Sequence, residues 1–176
     1  MPAPSWTSLS LPAGALPAGV DYSRVVLFDG VCTLCDGTVN FLIARDGAAR
    51  LRFAALQSRA AAPVLAACGL DADPAAALDS ILFVERARGG GGGYTVFRRS
   101  TAVLRIASEL PAPWAPLAAA ALCVPAALRD AAYGCVAAYR YRVFGKSEDC
   151  LRPTAAIRAR FLDADELQAA GRSKVA

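Results

Sequence analysis

The chain has 176 residues, 56% of them hydrophobic, and a formal charge of +4 from 19 Lys+Arg against 15 Asp+Glu. That length and apolar content supply the core of one domain, with room for an added helical subdomain, which excludes disorder throughout. The basic residues are dispersed, which argues against a phosphate-tracking nucleic-acid surface, and the absence of histidine excludes His-ligated zinc, Ser-His-Asp or Cys-His catalysis and His-ligated haem.

Residues 1–20 carry no charged side chain and are rich in Pro, Ala and Ser. They lack the basic start of a secretory signal and the arginines of a transit peptide, so residues 1–23 read as an N-terminal tail or an atypical targeting segment. The run Val25, Val26, Leu27, Phe28 is short, apolar and β-branched, and it stops at Asp29-Gly30, as a fully buried strand ending in a turn does. Val39, Leu42 and Ile43 then recur at helical spacing before Gly47, predicting a helix over 33–46. Leu51, Phe53 and Ala55 alternate as a second strand, and an Ala-rich helical stretch follows over 58–68. Beyond the Gly69 to Pro74 break, the runs 80–84 and 94–97 form a hairpin whose five-glycine stretch is a flexible loop, since no phosphate-binding Lys-Ser/Thr pair or helix follows it.

Ser100 stands where an N-cap would, ahead of a helix with Ala102, Val103, Ile106, Ala107 and Leu110 on one face. The uncharged stretch 110–128 is interrupted by Pro111, Pro113, Pro116 and Pro125. This favours a buried helical hairpin over a membrane span, because lipid cannot satisfy the backbone groups that proline frees. A helix over 127–144 is expected to turn Leu128, Ala131, Ala132, Cys135, Val136 and Tyr139 inward, and a last amphipathic piece covers 154–162.

The order β-α-β-α-β-β-α, with crossovers long enough for a parallel pair, predicts an α/β, thioredoxin-like fold with a mixed four-stranded sheet. Its core spans 24–110, a helical C-terminal extension spans 111–163, and a C-terminal tail spans 164–176. A doubly wound nucleotide-binding fold would want a Gly-rich first turn, which Asp29 to Cys35 does not provide.

That turn holds the chemistry. Cys32 and Cys35 are the one close pair among six cysteines, three residues apart at a helix start, within reach of a disulfide. Backbone N–H groups at the helix N-terminus stabilise a thiolate, which designates Cys32 as the nucleophile and Cys35, one turn in, as the resolving thiol. Asp29 either relays the Cys35 proton, its own pKa raised by burial, or caps the turn through backbone N–H groups; Asp36 reads as an exposed first-turn residue. Arg140, Arg142 and Lys146, with Cys150 just after, form either a solvated helix end or a basic accessory segment that folds back to the thiols. Cys68, Cys123 and Cys135 read as buried packing residues, and Tyr139 and Tyr141 as core or rim aromatics.

The run Leu27-Phe28-Asp29-Gly30-Val31-Cys32-Thr33-Leu34-Cys35-Asp36 resembles the D-x-x-C-x-x-C signature of the DCC family of thiol-disulfide oxidoreductase-like proteins. Arg99-Ser100, Pro125, Arg129-Asp130, Tyr133 and the stretch from Tyr139 to Cys150 resemble that family's C-terminal half, so the likeness covers about residues 25–153. The resemblance implies a thioredoxin-like fold, thiol-disulfide exchange without a cofactor, and a site on Asp29, Cys32 and Cys35. Thioredoxins proper place a cis-proline before the third strand, where this chain has Asp79-Ser80. The expected partners are a protein or small-molecule disulfide or dithiol and an unidentified reductant, with no nucleic acid and no membrane span. The compartment is expected to be reducing, the cytoplasm first and an organelle left open. Two alternatives stand beside this reading: a non-catalytic interaction module on the same fold, and a cysteine-ligated zinc site.

Overall fold

The computed structural model describes residues 6–71, 77–87, 92–145 and 155–166. In chain order it has β1 (Ser8–Leu11), β2 (Arg24–Phe28), α1 (Thr33–Arg45), β3 (Arg52–Ala55), α2 (Ala62–Ala67), β4 (Leu82–Arg86), β5 (Tyr94–Arg98), α3 (Arg99–Ser108), α4 (Trp114–Leu122), α5 (Ala126–Phe144) and α6 (Ala155–Arg158). The strands form one mixed sheet in the order β1-β5-β4-β2-β3. Only β2 and β3 run parallel, joined through α1, and the remaining neighbours are antiparallel.

The period-2 alternation of the strands divides the core between the two sheet faces. Val25 and Leu27 pack on one face with Leu56, Val64 of α2, Leu82, Val84 and Val96. Val26 and Phe28 pack on the other with Val39 and Leu42 of α1, Phe53, Phe83, Phe97, and Ala102 and Ile106 of α3. Because β2 is covered on both sides, its sequence is continuously apolar. Its C-terminal end, followed at once by α1, carries the cysteine loop.

The fold is the thioredoxin-like one expected, with five strands in place of four. Residues 8–11, within the segment read as a tail, pair antiparallel with β5, Leu11 opposite Tyr94 and Ser8 opposite Phe97. Leu9 and Leu11 alternate with serines, a strand signal too short to register alone, and Leu11, Leu16 and Tyr22 enter the core. Gly93, in the glycine stretch, has a defined role: a Cβ there would lie 2.5 Å from the Leu11 carbonyl oxygen, so only glycine lets β1 approach.

The opposite edge is closed by the C-terminal segment. Phe53 N–H donates to Arg160 O at 2.8 Å, Leu162 N–H to Phe53 O at 2.9 Å, and Ala55 N–H to the Asp163 carboxylate at 2.7 Å. Arg160, buried, bonds the Asp46 carboxylate and stacks on the Phe53 ring at 5.3 Å, while Phe161 packs edge-on against Phe28.

Three expectations are corrected in the helical half. Ser100 does not cap α3 but lies within it, buried, and its hydroxyl and N–H both donate to Asp130 of α5. The stretch 110–128 is not a buried hairpin: Ala118 is the sole buried residue of α4, and Leu117 and Val124 are exposed. Helix α5 is turned the other way, with Leu128 66%, Val136 54% and Tyr139 56% exposed. Arg129, Asp130, Tyr133, Arg140 and Tyr141 face the protein instead, because their hydrogen-bond partners lie on α3, the segment before β4 and the β2 end. Specific polar pairing thus outweighed the apolar stripe. Cys135 and Cys123 are exposed with it, and Cys68 alone of the three is buried. No single described helix is long and apolar enough to cross a membrane; α4 and α5 together pass that test only as a pair bent by 117°.

Candidate functional site

Asp29 follows the C-terminal end of the interior strand β2, and the turn Asp29 to Cys32, closed by Cys32 N–H donating to Asp29 O at 3.2 Å, launches α1. Cys32 is the extended residue before the first helical turn, its carbonyl accepting Asp36 N–H at 3.0 Å, so its side chain stands at the positive helix end. Cys35 follows within that turn. Both are free thiols; Cys32 is 0% exposed and Cys35 is half-buried. Burial pushes the Cys35 thiol up to about 12, reinforced by its hydrogen bond to Cys32 and by the charge Cys32 can carry. Cys35 is therefore a protonated donor across the neutral range, pointed at the Cys32 sulfur.

Asp29 is 3% exposed and densely satisfied. Its Oδ1 accepts Val31 N–H at 3.1 Å and the Gln57 amide at 3.0 Å. Its Oδ2 accepts the Tyr141 hydroxyl and lies 3.5 Å from the Arg140 guanidinium. The turn-capping role is thus present, together with a link to α5 that sequence spacing did not reveal. Gln57 also receives Gly30 N–H at 3.2 Å, so the loop is held from β2, the end of β3 and α5 at once.

Of the basic residues singled out, Arg140 reaches the site and Arg142 does not. Two residues along a helix is about 200° of rotation, and Arg142 is exposed while Arg140 is nearly covered, donating to Leu78 O at 2.8 Å and Ala137 O at 3.0 Å. Lys146 and Cys150 lie outside the described residues. Asp36, expected to be exposed, is half-buried with Oδ1 enclosed and unpartnered among the described residues, and burial, with Asp29 nearby, raises its carboxyl to about 6. Among the described residues no group of three or more Cys, Asp or Glu is arranged to hold a metal ion.

Beside Cys35 a cavity of about 380 Å3 opens between α1, the segment before β4, α3 and α5. Asp29, Val136 and Arg140 are among the residues that line it. Tyr133 on its wall accepts Ile81 N–H at 3.1 Å. Ser80 and Ile81, also on the wall, lie immediately before β4. Gln57 was not singled out in the sequence, and Tyr133 and Tyr141 were noted there without a site role, because each acts across more than 25 residues of sequence.

The model of the DCC1-like thiol-disulfide oxidoreductase family matches residues 26–146. The chain is 38% identical over 140 residues to a Bacillus subtilis protein described as uncharacterized protein YuxK, covering 80% of this chain and 94% of that one. It is 36% identical over 130 residues to an Arabidopsis thaliana protein described as a chloroplastic DCC family protein, At1g52590, covering 74% of this chain and 70% of that one. No solved structure is a significant match.

Proposed function

Because the chain belongs to the DCC1-like thiol-disulfide oxidoreductase family, we propose that it catalyses thiol-disulfide exchange with Cys32 as the attacking sulfur and Cys35 as the resolving one. The observation that carries this reading is the asymmetry of the pair. Cys35 holds its proton to about 12 and donates it toward Cys32, while Cys32 stands at the N-terminal end of α1.

In the reductive direction the Cys32 thiolate attacks one sulfur of a disulfide R–S–S–R′. A Cys32–S–S–R bond forms, the S–S bond of the substrate breaks, and R′S− leaves and takes up a proton. Cys35 then loses its proton and attacks the Cys32 sulfur, forming the Cys32–Cys35 disulfide and releasing RSH. Two electrons pass from the dithiol to the substrate, and a separate reductant restores the pair. Asp29, which lies against Cys35, accepts its proton. Arg140 balances the negative charge that Asp29 and the reacting sulfur share.

The test is a Cys35→Ser variant incubated with 2-hydroxyethyl disulfide, with adducts located by peptide mass spectrometry because Cys123 and Cys135 are exposed thiols as well. A stable adduct on Cys32 is expected, with none on Cys35 in Cys32→Ser and rapid loss of the Cys32 adduct in the wild type. Failure of Cys35→Ser to accumulate an adduct on Cys32, or equal accumulation on Cys35 in Cys32→Ser, overturns the assignment.

A further inference from the structure

We propose that the cavity beside Cys35 is a substrate site for a small, uncharged, predominantly apolar disulfide, or for the dithiol it becomes; this rests on the dithiol exchange proposed above. Its volume of about 380 Å3 falls within the ~300–1,000 Å3 of small-molecule sites. Apolar side chains including Leu34, Ile81, Val103 and Val136 make up most of the wall.

The polar groups on that wall are already engaged within the chain. The Thr38 hydroxyl donates to Leu34 O at 2.8 Å, the Ser80 hydroxyl donates to Ile81 O at 2.9 Å, and Tyr133 accepts Ile81 N–H. Asp29 and Arg140 pair with each other, and Arg140 Nε, which has no partner among the described residues, is shut off from solvent. A charged ligand would therefore lose its hydration and find no free counter-charge among the described residues, which costs more than an apolar body would gain.

An extended polypeptide is disfavoured on separate grounds. Binding a peptide as an added strand requires free backbone N–H and C=O groups, and at Ile81, next to the thiols, both are taken by side chains. Cys32 has no exposure of its own, whereas Cys35 lines the cavity, so the substrate sulfur reaches the pair from the cavity side.

The reduced full-length protein is assayed by stopped flow against three probes: lipoamide, which is uncharged with an apolar body, oxidised glutathione, which is charged, and 2-hydroxyethyl disulfide, which has almost no body. The expected result is a kcat/KM for lipoamide at least about tenfold above oxidised glutathione, the scale on which hydrophobic pockets discriminate. In Val136→Asp and Ala132→Phe, both at exposed positions of α5, the lipoamide to 2-hydroxyethyl disulfide ratio falls by about tenfold. In Leu117→Ser, on α4, the ratio keeps its wild-type value. Equal or greater activity with oxidised glutathione, or an unchanged ratio in both cavity variants, overturns the substrate assignment while leaving the dithiol chemistry standing. No oxidation of the pair by any probe, together with no adduct on Cys32, overturns both.

Discussion

The raised Cys35 thiol makes a quantitative demand on its reactivity. An ordinary thiol at 9.0 is about 10% ionised near pH 8, whereas one at about 12 is about 0.01% ionised, a deficit of about 1,000-fold in thiolate. The more basic sulfur is also the better nucleophile. With a slope of ~0.4–0.5 over about three units it recovers about 16- to 32-fold, which leaves a net deficit of about 30- to 60-fold. Alkylation of the reduced protein by iodoacetamide, with each cysteine quantified by peptide mass spectrometry, compares native Cys35 with the same residue in urea. Native Cys35 should react at least about 30-fold more slowly near pH 8, and its rate should still be climbing tenfold per pH unit at about pH 10. A native rate within about threefold of the unfolded one, or a plateau below pH 10, would refute the protonated-donor role and with it the order of attack.

Other consequences can be checked by equilibrium unfolding. Tyr141→Phe removes the hydroxyl that Asp29 accepts and the contact of that hydroxyl with Arg140 at 3.1 Å, and a charge-assisted bond of this kind predicts a loss of about 1.5–3 kcal/mol in urea denaturation. Arg160→Met leaves Asp46 buried with only its backbone donors, Leu51 N–H at 2.8 Å and Arg50 N–H at 3.2 Å, so a loss of about 3 kcal/mol is expected, with the β3 edge opening first in hydrogen exchange. The Asp36 carboxyl, raised by burial from 3.8 to about 6, binds its proton more tightly folded than unfolded. Its contribution is therefore most favourable below about pH 4 and is lost as pH rises to about 6. Asp36→Asn should flatten that part of the stability–pH curve, and an unchanged curve would show that the carboxyl does not titrate there.

Much of this molecule is legible along the chain. Continuous apolarity marks β2 as a doubly covered strand, the Asp29 to Cys35 spacing marks a dithiol at a helix start, and the lengths of the intervening segments give the parallel β2–β3 pair. These are local properties: a backbone period and a distance of three residues carry the chemistry with them. The face that α5 presents is not local. Of its apolar stripe, Leu128 and Tyr139 point outward while Ala132 and Val136 line the cavity, because Asp130, Tyr133, Arg140 and Tyr141 find partners on α3, before β4 and at Asp29.

The fifth strand is a tertiary outcome as well. Four residues reading Ser-Leu-Ser-Leu become β1 only because β5 offers an edge and Gly93 lets the backbones approach. The sequence by itself determined the core strand, the dithiol and its place at a helix N-terminus, since each follows from neighbours along the chain. How far burial raises the Cys35 thiol, which arginine meets Asp29, and the apolar cavity against Cys35 were decided by tertiary structure. Each depends on burial and on pairing between residues distant in sequence, and neither exists until the helices close over the sheet.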